Sequence, residues 1–505
     1  MLSSWRRAIP VAAVVVGACT LALSAQDISN ADAELQYQLG NLLSDEMRYP
    51  DALVAFDLAS RAPDLDLAVR ARKGKVRTAL RLAEFVTARK DAERLRQDAP
   101  TDSEASTLYA DALWATGLFD EADVVYEDVL RRVPGSSRAR FGLARSLATR
   151  SRLDEALNEG LTALAAAPRD GEIHAGVGDI YEQLHRFDEA AASYTNFINL
   201  LPNKDRGDRA AWSRAQVQFL KAFDGRVPVE VAPESRSKLH IVPFRLISDK
   251  VIVQGRVNGG RLRDFTLDTG SEEAVITRET AQAQNVKPIT STLSAGVGEV
   301  GLRGLQLARI DRLNIGTLEV RNLPVMINNP ALRGLPKRAG ESFSPMSLGM
   351  SMTIDYQRRL LTIGETLPDE DVDFRLPMRV HRLAMVRGIV NAKQPAYFVV
   401  DTGGQVISIS KDTVEDLNLP PGGPRRIPLR VYGVSGWDRD AFLLTGQDLE
   451  FDRIEYKNVP LVVLNLRAPS LLLGFRLGGI VGHKFLGKYR VTMDMTRSEL
   501  RLKKF

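Results

Sequence analysis

Residues 265–271 read FTLDTGS and residues 398–404 read FVVDTGG, and these two stretches decide the fold of the C-terminal half. In each, three residues led by an aromatic run directly into Asp-Thr-Gly. Asp268 and Asp401 are 401 − 268 = 133 residues apart. A single Asp-Thr-Gly says little, because Asp and Gly are common in turns. Two copies at the same place in two similar units predict a functional pair of carboxylates.

The flanks of the two motifs also correspond. A strand-like run and a turn precede each motif, and a glycine-bearing segment follows it, AGVG at 295–298 and YGVSGW at 432–437. Each unit closes on two short apolar runs, at 352–363 and 491–502. Short β-branched runs broken by Gly and Asn are typical of antiparallel β-structure. The sequence therefore predicts two tandem all-β units, residues 239–366 and 374–505, that arose by internal duplication.

The duplicated motifs resemble those of the retropepsin-like aspartic proteases. The segment GIVGHKFL at 479–486 is similar to that family's hydrophobic-hydrophobic-Gly element, which packs beneath the catalytic loop. In the first unit, counting back from Asp355 matches Gly340 to the first glycine of this element and puts Phe343 in place of the second. Gly404 stands where the family usually has Ser, Thr or Ala, so we expect one hydroxyl contact to a carboxylate to be missing.

This resemblance implies a dyad in which Asp268 and Asp401 share one proton and activate a water to hydrolyse a peptide bond. No cofactor and no metal are implied. Six residues are expected to support the catalytic loops: Thr269, Gly270, Ser271, Thr402, Gly403 and Gly404. The glycine-tipped hairpins that close over a substrate in this family are expected at Gly296, Gly298, Gly433 and Gly436. Trp437 either lines the cleft or packs under its hairpin.

Each unit supplies one aspartate, so a working site needs two units. The short connection between the tandem units favours pairing of Asp268 with Asp401 within one chain, as an internal pseudo-dimer. A homodimer in which like units of two chains pair is the alternative.

The N-terminal half carries an internal repeat. Prolines recur every 34 residues, at Pro100, Pro134, Pro168 and Pro202, and the tetrapeptides FDEA, LDEA and FDEA begin at 119, 153 and 187. This phase resembles the tetratricopeptide repeat, a helix–turn–helix unit that is stable only when stacked. The sequence predicts an all-α solenoid over residues 33–220 and a linker over 221–238. The repeats are expected to bind a protein partner or the substrate, or to act as a spacer.

The first 26 residues have the layout of a secretory signal peptide. Arg6 and Arg7 precede an apolar run from Ile9 to Leu23, and small residues follow. Cleavage after Ala25 fits this pattern. A second interpretation is a lipobox that ends at Cys19, which would then be lipidated and tether the protein to a membrane. Both interpretations predict an exported protein of the periplasm or cell envelope.

Composition limits the remaining classes of function. Of 505 residues, 44% are hydrophobic and 26% are charged, which predicts packed domains rather than disorder. The 68 basic residues exceed the 63 acidic ones by only 5, so nucleic acid is not an expected partner. One cysteine excludes an internal disulfide, and the five histidines show no metal-ligand spacing.

Three functions remain in consideration. The first is an exported aspartic endopeptidase whose repeats recruit its protein or peptide substrate. The second is a pseudo-protease that binds peptides without cutting them, which the changes at Phe343 and Gly404 favour. The third is a scaffold of the cell envelope in which the repeats dominate.

Overall fold

The computed structural model describes residues 28–201, 207–294, 296–298, 303–328, 340–420, 423–433 and 435–505. The expected signal segment, residues 1–26, and the lipidation candidate Cys19 lie outside this range. Cleavage, lipidation and export therefore stay predictions.

The N-terminal half is a solenoid of antiparallel helix pairs closed by a single helix. The helices are α1 Asn30–Asp45, α2 Tyr49–Ala59, α3 Leu65–Arg81, α4 Phe85–Asp98, α5 Ser103–Ala115, α6 Phe119–Arg132, α7 Ser137–Thr149, α8 Leu153–Ala166, α9 Gly171–Gln183, α10 Phe187–Leu200 and α11 Asp208–Lys221. None of the helices in the described part of the chain is long and apolar enough to cross a membrane.

The 34-residue period has a local physical cause. Asp102, Ser136 and Asp170 each precede the first helix of a repeat, and their side chains accept hydrogen bonds from backbone amides of its first turn. Such caps satisfy amides that have no partner within the helix. The repeating proline lies two residues before each cap. The solenoid is therefore encoded by turn and cap residues as well as by apolar spacing.

Small residues let neighbouring helices approach closely. A methyl group added to Gly142 on α7 would lie 2.4 Å from the ring of Tyr126 on α6, which is less than any real contact distance. Tyr126 is completely buried, and its hydroxyl donates to Asp111 at 2.6 Å. The glycine is thus needed for the packing of the aromatic ring against the next helix.

The C-terminal half consists of β-structure with short helices. Its strands are β1 Glu230–Val231, β2 His240–Pro243, β3 Arg245–Ile247, β4 Lys250–Val257, β5 Arg263–Leu267, β6 Ala274–Ile276, β7 Pro288–Ser294, β8 Arg303–Ile315, β9 Leu318–Ile327, β10 Glu341–Phe343, β11 Ser351–Asp355, β12 Leu360–Gly364, β13 Phe374–His381, β14 Leu383–Val390, β15 Gln394–Val400, β16 Ile407–Ser410, β17 Arg426–Pro428, β18 Val431–Gly433, β19 Gly436–Asp438, β20 Phe442–Phe451, β21 Ile454–Leu464, β22 Gly479–Val481, β23 Tyr489–Asp494 and β24 Glu499–Lys504. Its helices are α12 Pro233–Arg236, α13 Arg278–Ala283, α14 Lys411–Asp416, α15 Arg467–Leu473 and α16 His483–Leu486, with a 3₁₀ turn at Pro345–Leu348.

Both β units have the same topology. In the first, β10 runs parallel to β5 and antiparallel to β6, and β6 runs parallel to β9. In the second, β22, β15, β16 and β21 repeat this arrangement. The chain is therefore a tetratricopeptide-repeat solenoid followed by two β-barrel units related by duplication.

A shared sheet joins the two units. Strand β11 of the first pairs antiparallel with β23 of the second, and the hydroxyls of Thr353 and Thr492 are 2.8 Å apart across this pairing. Outward from it, β12 pairs with β2, and β24 pairs with β13. This symmetric sheet orients the two units face to face within one chain.

The segment expected to be a linker, residues 221–238, contains the strand β1. Glu230 and Val231 pair with Arg321 and Val320 of β9. This stretch therefore forms part of the first β unit, which its polar composition did not indicate.

The solenoid is attached to the second unit through a buried cation. The side chain of Arg379 on β13 is only 3% exposed, and it donates to the carboxylates of Asp120 and Asp123, at 2.6 Å each. It also donates to the hydroxyls of Ser146 and Thr149. These acceptors lie on α6 and α7, so one guanidinium joins two repeat helices to the β-structure.

Aromatic packing surrounds that cation. The ring of Phe119 on α6 contacts Tyr397 on β15 and Phe475, with centroid distances of 4.8 and 5.0 Å. All three side chains are buried in one apolar cluster shared by the solenoid and the second unit. The repeats are thus packed on the β-structure rather than joined to it by a free linker.

Candidate active site

Strands β5 and β15 end at the two aspartates in the same way. The backbone amide of Asp268 donates to Phe343 O, and that of Asp401 donates to Val481 O, both at 3.0 Å. Each acceptor is the last residue of the parallel strand that lies beside the motif. The two carboxylates are therefore held at matching positions by β10 and β22.

This pairing corrects the alignment expected from the sequence in the first unit. Strand β10 places Glu341 beside Phe265, and β22 places Gly479 beside Phe398. Phe343 is hence the counterpart of Val481, and Ser344, not Phe343, takes the place of the second glycine. Counting back from Asp355 was one residue out, because 355 − 343 = 12 whereas 494 − 481 = 13.

Glu341 fills the position of the first glycine with a buried carboxylate. It accepts hydrogen bonds from the hydroxyls of Thr277, at 3.0 Å, and Thr280. In the second unit a side chain at Gly479 would collide with Ser408 O. The first unit therefore keeps the strand pairing beneath its motif despite its different sequence.

Two threonines bind the loops to each other across the units. The amide of Thr269 donates to Thr402 Oγ1 at 3.1 Å, and the amide of Thr402 donates to Thr269 Oγ1 at 3.0 Å. The hydroxyl of Thr269 then donates to Val400 O, and that of Thr402 donates to Leu267 O. Both threonines are buried. This reciprocal network fixes the relative position of the two Asp-Thr-Gly loops.

The glycines of the motifs allow the carboxylates to meet. A methyl group on Gly270 would lie 2.6 Å from Asp401 Cγ, and one on Gly403 would lie 2.6 Å from Asp268 Oδ1. Each glycine thus faces the aspartate of the other unit. No residue with a side chain fits at either position without moving a carboxylate.

Burial and proximity alter the ionisation of the pair. Burial, followed by the negative charge of Asp401, raises the pKa of Asp268. Burial also raises the pKa of Asp401, although amide donors from Gly403 and Gly404 oppose the rise. The cation of Lys250 lowers the pKa of both. The two carboxyl groups are in hydrogen-bonding reach of each other, so one proton is shared between them.

Ser271 and Gly404, the residues after the two motifs, leave the carboxylates without a side-chain hydroxyl donor at these positions. The hydroxyl of Ser271 donates to Glu273 O at 2.8 Å. A side chain at 404 would begin 2.7 Å from Asp401 Oδ2, so the local backbone leaves room for glycine only.

The two glycine-bearing hairpins touch each other. The first is formed by β7 and β8, and the tip of the second is formed by β18 and β19. The amide of Ser435 donates to Val297 O at 3.0 Å, and added methyl groups on Gly298 or Gly433 would collide with the opposite tip. Trp437 packs on Tyr432 within its hairpin, with ring centroids 5.3 Å apart.

A cavity of about 630 Å³ lies beside the pair, and Asp268, Gly270, Lys250 and Ser435 line it. The sequence analysis did not select Lys250. Its only signal was the turn before it, where Ser248 and Asp249 have positive φ values of 48° and 63°. Within the described ranges, no three His, Cys, Asp or Glu side chains are grouped so that they could hold a metal ion.

Comparisons with known families agree with this organisation. Residues 253–352 match the family model described as aspartyl protease, and residues 386–477 match that of the gag-polyprotein aspartyl protease. Residues 110–171 match a tetratricopeptide-repeat model. The β units are thus similar to aspartyl proteases, and the helices are similar to tetratricopeptide repeats. None of the curated proteins compared with the chain matches it.

Solved structures resemble the solenoid. A thermophilic TPR protein from Thermus thermophilus is 22% identical over 34% of this chain and 93% of its own, with a TM-score of 0.29. MamA of strain AMB-1 is 22% identical over 33% and 96% of the two chains, with a TM-score of 0.24. YrrB, described as a TPR protein with an unusual peptide-binding site, is 20% identical over 34% and 88%, with a TM-score of 0.22. These scores are too low to support a further conclusion.

Proposed function

We propose that this protein is an exported aspartic endopeptidase whose dyad, Asp268 and Asp401, forms within one chain. The observation that carries the proposal is the reciprocal hydrogen bonding of Thr269 and Thr402, which holds the two carboxylates together. The similarity of both β units to aspartyl proteases supports it.

The chemistry follows from the shared proton. Two adjacent carboxyl groups cannot both ionise without a large free-energy cost, so the pair carries one proton near neutral pH. The ionised aspartate takes a proton from a water molecule, which attacks the peptide carbonyl. The protonated aspartate donates to the carbonyl oxygen as it gains negative charge. The raised pKa values of both groups favour this singly protonated state.

The hairpins supply the enclosure. Because the tips already meet through Ser435 and Val297, a substrate must enter from an end of the cleft or part the tips. Closure over the peptide excludes bulk water and aligns the scissile bond with the dyad.

Export is supported only by the layout of residues 1–26. Two arginines precede an apolar run that is too short for a stable membrane span. We propose removal of this segment, with lipidation at Cys19 as the alternative. Mass spectrometry of the mature N-terminus distinguishes the two: a chain starting at residue 26 supports the first, and a diacylglyceryl Cys19 supports the second.

Peptide capture without cleavage is the second candidate. The observation that favours it is the lack of a hydroxyl donor from residues 271 and 404 to the two carboxylates. Such a donor would help to orient and stabilise the ionised carboxylate during the reaction.

Digestion of a diverse peptide mixture by residues 27–505, followed by mass spectrometry from pH 3 to 8, tests the proposal. We expect cuts that are fastest below neutral pH and that disappear in Asp268→Asn and Asp401→Asn. Asp264→Asn is the matched control, because Asp264 lies on the same strand β5 but is half exposed and pairs with Arg245. Folded protein that cuts nothing at any pH would refute hydrolysis and favour capture.

A further inference from the structure

The cavity beside the dyad extends to the helical solenoid. Its lining on that side comes from α9 to α11 and from the loop before α10: Glu182, His185, Phe187, Trp212, Gln216 and Phe219. On the side of the β units, Glu272 and Glu273 line the same cavity, four and five residues after Asp268. A peptide that extends from the dyad in this direction therefore reaches the repeats.

This wall is fixed to the first β unit. Phe187 on α10 and Phe219 on α11 share an apolar cluster with Leu307 of β8, and Ile289 and Met326 pack against it. Gln218 on α11 and Thr290 on β7 are joined by a hydrogen bond of 3.0 Å. Because β7 and β8 form the first hairpin, the wall and the hairpin are parts of one packed structure.

Negative charge is in excess at this end of the cavity. Burial raises the pKa of Glu182 to about 7, and the nearby Asp179 raises it further. Glu182 accepts from Tyr194 at 2.9 Å and from Gln216. Burial, followed by the charges of Glu182 and Glu272, also raises the pKa of Glu273 well above its usual range. The Glu273 carboxylate is half-buried and makes no hydrogen bond or ion pair with the described residues.

One guanidinium, that of Arg382, faces these carboxylates. It stacks on the ring of Trp212 at 4.6 Å and lies 3.7 Å from Glu272. The two histidines that line the cavity, His185 and His381, have pKa values lowered to about 4 by burial and are therefore neutral. A single cation against four acidic side chains leaves room for a second positive charge.

We propose that the solenoid forms one wall of the substrate cleft and that Glu182 and Glu273 bind a positively charged group of the peptide. This inference rests on the proposed function, since it assigns specificity to the same cleft. The group is an ammonium or guanidinium, supplied either by a free amino terminus or by a Lys or Arg side chain. The repeats then act on substrate choice directly, as part of the site.

Binding to the Asp268→Asn protein tests the inference without cleavage. The probes are labelled peptides of one sequence in four forms: free or acetylated at the amino terminus, each with Lys or Gln at one internal position scanned along the chain. By fluorescence anisotropy we expect at least one positive charge to tighten binding tenfold or more. The arm that shows the effect identifies the amino terminus or the side chain as its source.

Variants of the wall locate the charge effect. Glu273→Gln, and Glu182→Gln separately, should each reduce the advantage of the charged peptide while leaving the affinity for the neutral peptide within twofold. Glu189→Gln is the matched control, because Glu189 lies on α10 but is exposed and pairs with Arg186. Equal binding of charged and neutral peptides would overturn the inference, and so would an equal loss for both in the variants.

Cleavage by the unmodified protein separates this inference from the proposed function. Cuts at a constant spacing from a positive charge support both. Cuts that ignore charge leave hydrolysis intact and overturn the role of the wall. Charge-selective binding with no cleavage overturns hydrolysis and leaves the charged wall as the specificity of a peptide-binding protein.

Discussion

Thr269 and Thr402, 133 residues apart, each use their hydroxyl as the acceptor for the other's backbone amide, at distances of 3.0 and 3.1 Å. Both hydroxyls donate onward into the opposite strand, at Val400 O and Leu267 O. Four hydrogen bonds thus join the two β units directly beneath the candidate dyad. The position of one carboxylate therefore depends on the loop of the other unit.

Replacing Thr269 by Val should weaken this junction. The change leaves the amide of Thr402 and the carbonyl of Val400 without partners in a buried place, at a cost of about 1–3 kcal/mol for each group. We expect a lower apparent melting temperature and at least a tenfold loss of kcat/KM. Thr269→Ser is the control, because it keeps the hydroxyl, and it should retain most of both. A valine variant with unchanged stability would contradict the structural role of the network.

Replacing Asp268 by Asn should stabilise the fold at high pH. A carboxyl whose pKa is raised by folding binds its proton more tightly in the folded state, so its stabilising effect is present at low pH and is lost as the pH rises through the folded pKa. The variant lacks this loss, which is about 1.4 kcal/mol for each tenfold difference in proton affinity between the folded and unfolded states. Differential scanning fluorimetry should show a higher melting temperature than the parent at pH 8 and a similar one at pH 4. Asp264→Asn should show no such dependence, and an equal or lower melting temperature of Asp268→Asn at pH 8 would contradict the raised pKa.

Arg379→Met should loosen the solenoid from the second β unit. The change leaves the buried carboxylate of Asp123 with Arg150 as its remaining cation and removes the link to Asp120. Breaking a buried ion pair from one side costs about 3–5 kcal/mol. We expect limited proteolysis to separate the solenoid from the β units at lower temperature than in the parent. Arg375→Met on the same strand is the control, since that arginine is 40% exposed and should change little. Equal protease resistance of the two variants would show that the buried pair does not hold the domains together.

Gly433→Ala should impair closure of the hairpins. Its methyl group would lie 2.2 Å from Val297 O at the opposite tip, so the tips would be forced apart. We expect kcat/KM to fall by about tenfold or more, because small displacements of a closing element misplace the scissile bond. Gly304→Ala in the first hairpin points into open space and should leave the rate unchanged. Normal activity of Gly433→Ala would mean that closed tips are not required.

The parts of this structure that the sequence predicted are those with a local signal. The Asp-Thr-Gly motifs mark the ends of two apolar strands, and the 34-residue phase of caps and prolines marks the helix pairs. Motif counting failed at residues 340–347, because a one-residue deletion before β11 is invisible until the pairing of β10 with β5 sets the register.

The long-range packing had no such signal. Arg379 meets Asp120 across 259 residues, and nothing in the pattern of either segment marks them as partners. For the same reason Glu182, on a repeat helix, was not associated with the cleft of the β units. The repeats were expected to bind a separate partner or to act as a spacer, and in this structure they are packed on the chain's own β-structure.

The measurement that tests the central claim most directly is kcat/KM for Asp268→Asn and Asp401→Asn, assayed separately and as an equimolar mixture, with the oligomeric state of the parent determined alongside. A dyad within one chain predicts an active monomer, a loss of more than about 100-fold in each variant, and no recovery on mixing. Recovery of activity in the mixture, or retention of activity by either single variant, would contradict it.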